Sequence, residues 1–308
     1  MTSPSLVLSR LLSFVVLFFI ITPITFGQDC NNFYKINKVA DKVWVIVEND
    51  RVNIYLVEGK DSALIIDTGY GFGDLKAYVQ TLTKLPLIVV NTHVHLDHAG
   101  NDHQFAMAYA HPEDFGLINT VYGKEVRRNN ILSRTKDKKW TDEELNKRVD
   151  VLPPTFIPVK EGHIFDLGDR RLEVIEVPGH THGSICLLDS ANKILFAGDN
   201  INAVVWLFLK ESCPLEGYLE SLQKVEKRIN EFNIILPGHN TPLDKTFIYE
   251  QIACVKSILK GTCSPIPFNY SSINYSSIRA GALSCKYKTF EVVYAPNNLY
   301  KKDNLIED

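Results

Sequence analysis

The segment Asn91-Thr92-His93-Val94-His95-Leu96-Asp97-His98-Ala99-Gly100-Asn101 places three histidines and a carboxylate within six consecutive positions. Neutral imidazole nitrogens and carboxylate oxygens are the donors that a borderline cation such as Zn²⁺ prefers. Residues two apart in an extended loop point the same way, so His93 and His95 would grip one ion while Asp97 and His98 face a second. The bland alternative is a polar loop, or a histidine satisfied in the core. Matching context further along the chain weighs against it: Pro178-Gly179-His180-Thr181-His182-Gly183-Ser184, Phe196-Ala197-Gly198-Asp199 and Leu236-Pro237-Gly238-His239-Asn240. Hydrophobic residues come shortly before each candidate ligand. Each then sits just past a strand, where loops carry chemistry on a rigid scaffold.

The elements that must hold these loops are legible in outline. Val43 to Val47, Asn53 to Glu58 and Ala63 to Ile66 are rich in β-branched and aromatic residues and are broken by charged or glycine turns, which reads as a strand meander. Asp74 to Leu85 has helical spacing, with Leu75, Val79 and Leu82 on one face, and leads to a buried strand at Leu87 to Val90. Asp97 and His98 then open a short helix whose positive end suits an anion. The second half repeats the logic. Strands are expected near Arg171 to Glu176, Ser184 to Leu188 and Lys193 to Ala197, then a helix across Gly217 to Ile229 and a strand at Asn233 to Leu236.

With these motifs the chain resembles the metallo-β-lactamase superfamily of hydrolases, in the dinuclear branch that includes glyoxalase II and the lactone hydrolases. The resemblance covers roughly residues 38 to 260, and all seven ligand positions are filled. It implies that His93, His95 and His180 hold a first metal, that Asp97, His98 and His239 hold a second, and that Asp199 bridges them. It also implies the family fold, a four-layer αββα sandwich of α/β class, with which the strand and helix order is compatible. The implied cofactor is two zinc ions per chain, with iron or manganese also suited to these ligands.

The expected chemistry follows from charge. Two divalent ions, offset by Asp97, Asp199 and a bridging hydroxide, keep a net positive charge that stabilises an oxyanion, and metal-bound water ionises near neutral pH. Asp97 or Asp199 would shuttle the proton to the leaving group, which makes these two the candidate catalytic residues. Differences within the family narrow the class. The true β-lactamases have Cys or Ser where Asp199 stands, which argues against that activity; the flavodiiron oxygen reductases have Glu where His95 stands, which argues against iron redox chemistry. In acyl-homoserine lactonases a Tyr occupies the place of Asn202, which counts against that substrate. Glyoxalase II would need a basic pocket for glutathione, for which Lys286 and Lys288 are available without a motif that places them.

Asp67, ending the run Ala63-Leu64-Ile65-Ile66-Asp67-Thr68-Gly69, matches the family's first acidic motif, with a role in hydrogen-bonding the ligand loop. An ordinary turn aspartate would also suit that place, and only the hydrogen-bond partner separates the two readings. His103, His111 and His163 lie off the motif and are read as surface or core histidines. His182 replaces a proline common in relatives and is left between a pocket-lining and a structural role. The charged stretch Lys124 to Asp150 reads as a solvated helical pair, or else as a lid in which Trp140 or Tyr122 touches substrate and Arg127, Arg128 or Arg134 meets an anionic group.

A chain of 308 residues buries one large catalytic core, and a formal net charge of −3 favours neither nucleic acid nor an anionic membrane. Residues 1–27, with Arg10 ahead of the apolar run Leu11 to Ile21 and small residues near Gly27, read as a secretory signal, the competitor being an uncleaved signal anchor that tethers the protein. A secreted protein tolerates disulfides among its six cysteines, and Cys254 with Cys263 is the local candidate, whereas Cys186 reads as a free buried thiol. Two sequons, at Asn269 and Asn274, suit an exposed glycosylated segment. The organisation expected is a signal over 1–27, a hydrolase domain over 28–262 with the insertion 124–150, and a Ser/Asn/Tyr-rich tail over 263–308. Within that tail Val292, Val293 and Tyr294 suit a strand that docks back. The reading is a secreted dinuclear zinc hydrolase acting on a small ester, thioester, lactone or related bond, with no stable membrane insertion once the signal is cleaved and an open oligomeric state. The alternative is a non-enzymatic extracellular protein that keeps the site to capture metal or bind a partner.

Overall fold

The computed structural model describes residues 33–136, 138–269 and 278–302. The proposed signal, Cys30 and the sequon at Asn274 lie outside these residues. The first sheet is ordered as the chain runs: β1 (Tyr34–Ala40), β2 (Val43–Glu48), β3 (Val52–Glu58), β4 (Ala63–Ile66), β5 (Leu87–Val90), β6 (Met107–Ala110) and β7 (Thr155–Pro158). Its first four strands form an antiparallel meander and its last four run parallel. The second sheet takes β8 (Ile164–Asp166), β9 (Arg171–Glu176), β10 (Ile185–Asp189) and β11 (Ile194–Gly198), then β13 (Ile234–Pro237) and β14 (Leu243–Asp244) beside β11. A third, smaller sheet joins β12 (Val204–Leu207) to β15 (Ile266–Pro267), β16 (Leu283–Tyr287) and β17 (Phe290–Tyr294), where β17 runs parallel to β12.

Period-two patterning explains the layers. Val57, Leu64 and Ile66 of the first sheet meet Val174, Leu187 and Phe196 of the second in one buried cluster, so the two sheets pack face to face. The opposite face of the first sheet, through Ile46, Ile54 and Ile65, covers Leu75 and Val79 of the helix Leu75–Leu82. The opposite face of the second, through Cys186, Leu188 and Leu195, covers the helices Leu215–Glu226 and Phe247–Leu259. This is the αββα sandwich expected from the sequence.

The chain beyond residue 262 contributes to that same core. Cys285, Phe290 and Val292 pack with the helix Phe247–Leu259, and the strand expected over Val292–Tyr294 is part of β17. The local cysteine pairing fails: Cys263 bonds Cys285, and Cys254 is a buried free thiol. Cys254 lies on the inward face of its helix, whereas Cys263 follows the helix end and meets β16 coming back across it. Cys186 is buried and free, as expected. Among the described residues no helix is long and apolar enough to cross a membrane.

Candidate metal centre

Every proposed ligand follows a strand of the sandwich. His93 and His95 come after β5, with Asp97 and His98 in the short helix Leu96–Ala99; His180 follows β9, Asp199 follows β11 and His239 follows β13. The tertiary structure gathers them into three overlapping groups whose ligand atoms lie within 4.8 Å of one another: His93, His95 and His180; His93, His98 and Asp199; Asp97, His98 and His239. His95 Nδ1 lies 3.0 Å from His180 Nε2. His239 Nε2 lies 3.5 Å from Asp97 Oδ2 and 3.3 Å from Asp199 Oδ2, and His98 Nε2 lies 3.6 Å from Asp199 Oδ1. All seven sequence-derived ligands therefore converge, with Asp199 between the two histidine clusters.

The donors are prepared for cations. His93 Nε2, His98 Nε2 and Asp199 Oδ1 are buried without a hydrogen-bond partner, a costly arrangement unless something positive fills the space between them. The far nitrogen of each ring faces an oxygen: His98 Nδ1 donates to Asp67 Oδ2 (2.8 Å), His180 Nδ1 to the Trp206 carbonyl (2.7 Å), His239 Nδ1 to the Arg51 carbonyl (2.6 Å) and His95 Nε2 to Glu211 Oε1 (3.1 Å). Thr92 Oγ1, which donates to Asp67, stands 3.2 Å from His93 Nδ1 and accepts from it. Five outward protons leave five lone pairs aimed inward. The group fits two divalent cations.

Charge in the cluster points the same way. Burial, reinforced by neighbouring imidazoles, holds His93 well below the ordinary histidine range and His180 down to about 4, so these two rings are neutral and ready to coordinate. At His98 and His239 burial opposes the charge, but Asp199 and Asp97 outweigh it and raise both, His239 to about 10. Burial also works against charge on Asp97 and Asp199, and the facing His98 and His239 nevertheless keep both carboxyls below the usual range. Protons stand where a second cation would.

Asp67 is the ligand-loop partner rather than an ordinary turn residue. Its carboxylate accepts from the Thr92 amide (2.7 Å), the Thr92 hydroxyl and His98, and it sits at φ 62°, a conformation aspartate tolerates. Three further positions that sequence reading did not single out support the site. Buried Asp114 accepts from the Val94 amide (3.0 Å), the Gly183 amide (2.8 Å) and the Thr181 hydroxyl (2.8 Å), tying the two ligand loops together. Asn200 accepts from the His180 amide at 2.7 Å. Glu211 completes His95. None carries a local signal, because each acts across a separation that only the fold closes. Gly238 was quoted only as part of the last motif: a Cβ there would stand 2.5 Å from Asp199 Oδ1, so the close approach of the loop to the ligands requires glycine.

The remaining candidates fall elsewhere. His103 contacts the Gly100 carbonyl, His111 pairs with Glu176, and His163 packs edge-to-face with Phe165. His182 is exposed and sits 3.1 Å from Cys213 Sγ in a cavity of about 430 Å³ bounded by Pro178, Pro214 and Lys224. Lys286 and Lys288 pair with Glu291 and Glu250. Asn202 is buried and accepts from Asn240 Nδ2 at 3.0 Å.

A family model described as the metallo-beta-lactamase superfamily matches residues 47–239. The chain belongs to the metallo-beta-lactamase superfamily. Within the superfamily it is 32% identical over 237 residues to an acyl-coenzyme A thioesterase of Homo sapiens, an alignment covering 67% of this chain and 81% of the relative. It is 26% identical over 219 residues to a hydroxyacylglutathione hydrolase of a Synechococcus strain, covering 66% and 75%. Superfamily structures share the fold: a metallo-beta-lactamase from Pontibacter korlensis superposes with a TM-score of 0.53 at 18% identity over 72% of this chain and 99% of that one. A sec-alkylsulfatase from Pseudomonas sp. superposes at 0.56 and 15% identity, over 74% and 42%. With relatives of this kind and a superfamily metal site, the chain is a metal-dependent hydrolase.

Proposed function

We propose that the protein is a secreted dinuclear zinc hydrolase that cleaves a small ester, lactone or related bond, thioesters foremost. The observation that carries this reading is the pair of groups His93–His95–His180 and Asp97–His98–His239, linked by a third of His93, His98 and Asp199, with His93 Nε2, His98 Nε2 and Asp199 Oδ1 buried and lacking a protein partner. A structural zinc site is closed by four protein ligands, whereas seven candidate ligands in overlapping groups are more than one such ion would need. Ions held there would acidify water and polarise a carbonyl oxygen. The chain's own residues supply the rest. Asp97 and Asp199 are held ionised beside the reacting centre and can receive and pass on a proton, while Asp67, Asp114 and Glu211 keep the ligands in register. The thioester preference rests on the activities for which the human and Synechococcus relatives are named, both of which concern thioester or glutathione-linked acyl groups. Asp199 at the bridging position weighs against β-lactams. Secretion is supported by the apolar run Leu11 to Ile21 and by the Cys263–Cys285 bond, and the exposed Asn269 suits glycosylation.

The test is elemental analysis of the purified chain from Gln28, followed by assay against acyl-coenzyme A, acyl-glutathione, lactone, β-lactam and phosphodiester substrates beside Asp97→Ala. Two zinc ions per chain and thioester turnover that the substitution lowers by at least about 100-fold are the expected result. A metal-loaded chain inert on every substrate would turn the reading towards extracellular metal capture or partner binding.

A further inference from the structure

Of the five histidines in the centre, four orient their outer nitrogen through backbone carbonyls or through Asp67 and Thr92, just past strands β4 and β5 of the first sheet. His95 does not. Its Nε2 donates to a side chain from a loop that follows β12, Glu211 Oε1 at 3.1 Å, and that carboxylate is only 11% exposed. The loop is anchored at two ends. Ser212 Oγ donates to the His180 carbonyl (2.8 Å) and the Cys213 amide to the Gly179 carbonyl (2.8 Å), which pins it to the His180 motif. On its other side Arg279 donates to the carbonyls of Leu209 (3.0 Å) and Lys210 (2.8 Å), and Asn298 Nδ2 to those of Ser212 and Cys213. Arg279 and Asn298 flank the hairpin β16–β17, outside the span that matches the family model.

An isolated neutral imidazole carries its proton on either nitrogen. His95 must keep Nδ1 bare, because that is the atom facing His180 Nε2 in the first ligand group. A fixed carboxylate at Nε2 selects that tautomer and sets the ring's orientation. We propose that Glu211 is the positioning residue of His95, and that the C-terminal hairpin serves the first metal by holding Glu211 against it. The proposal rests on the dinuclear reading above. It gives the segment beyond the family match a chemical task, since removing the hairpin's contacts would free the loop that carries the carboxylate.

Metal-free full chain titrated with cobalt(II), and with zinc(II) against a chromogenic chelator, tests this without reference to turnover. Glu211→Ala is expected to weaken one of two binding steps by about 10- to 100-fold and to alter the cobalt absorption of that step, with the other step unchanged. Glu211→Gln, whose Oε1 still accepts from His95 Nε2, should recover most of that loss. Lys210→Ala, a change of the neighbouring exposed side chain, should leave both steps alone, and circular dichroism establishes that each variant is folded. In steady-state assays the alanine variant should lose kcat with KM held. Parent-like metal affinity in Glu211→Ala would overturn the proposal, and a rise in KM alone would assign Glu211 to substrate contact instead. If the unaltered chain itself takes up no metal, the dinuclear reading fails first and this one with it; a defect confined to the variants separates the two.

Discussion

Asp67 shows how one residue type at one place governs the centre. Its two carboxylate oxygens serve three donors, the Thr92 amide, the Thr92 hydroxyl and His98 Nδ1, so a single side chain fixes two ligand-bearing positions. Asp67→Asn keeps the shape and tolerates the positive φ, but it replaces one accepting oxygen with an NH₂ group that cannot take a proton donor. We expect the affinity for the ion on Asp97, His98 and His239 to fall by about 10- to 100-fold, read by competitive titration with a chelator. Unchanged affinity would show that the hydrogen bond to His98 is incidental. The ligands themselves were legible from the sequence because histidine pairs and Gly-Asp or Gly-His endings concentrate in short motifs. Glu211 and Asp114 were not, since a lone carboxylate in a polar loop has no local mark.

Among the elements, the charged insertion behaves differently from its composition. It forms the helices Lys124–Arg134 and Asp142–Val149, the second opened by a reciprocal Thr141–Glu144 capping box. The helical pair expected from the sequence is present, yet its inner face is not solvated. Arg127 is buried, donates through Nη2 to the Gly100 carbonyl (3.0 Å) and through Nε to the Arg148 carbonyl (2.8 Å), and lies against the Tyr122 ring. Trp140 stacks on Phe33, and the Arg134 guanidinium lies 4.5 Å from the centre of the Tyr70 ring. These contacts make the insertion a brace behind the ligand loop, because Gly100 directly follows the helix that bears Asp97 and His98. Arg127→Met would strand the buried Gly100 carbonyl and release the partly buried Arg148 carbonyl, at about 1–3 kcal/mol. The expected outcome is a lowered unfolding midpoint with faster proteolytic cleavage between the two helices; cleavage at the parent rate would deny the bracing role.

Across the whole molecule, stability is coupled to pH through a buried carboxyl that is not a candidate ligand. Glu48 at the end of β2 is fully buried and accepts from the backbone amides of Tyr70 and Phe72, with Tyr34 and Arg127 the titratable groups facing it. Burial pushes its pKa from 4.5 up to about 7, against the pull of those amides. Between these two values the folded state holds the proton more tightly than the unfolded state, so stability falls as pH rises through the window and levels off above it. The shift corresponds to a loss of up to about 3 kcal/mol. Asp102, raised by burial to about 7, adds to the same window, so in denaturant unfolding of the metal-free chain between pH 4.5 and 8 Glu48→Gln should remove Glu48's share of the slope. Equal slopes in the two proteins would place the pH dependence elsewhere.

The sequence by itself singled out the candidate ligands and determined the strands that precede them and the family, because these depend on residue type and on spacing within a few positions. It also carried the alternation that makes each sheet two-faced, and hence the layered sandwich. Only the tertiary structure decided what lies between segments. It paired Cys263 with Cys285 across the helix that buries Cys254, turned the charged insertion into a brace, and brought Glu211 from a loop after β12 onto the ring of His95. Such contacts join residues tens to more than a hundred positions apart. Their energies depend on burial and on distance in space, which local periodicity does not encode.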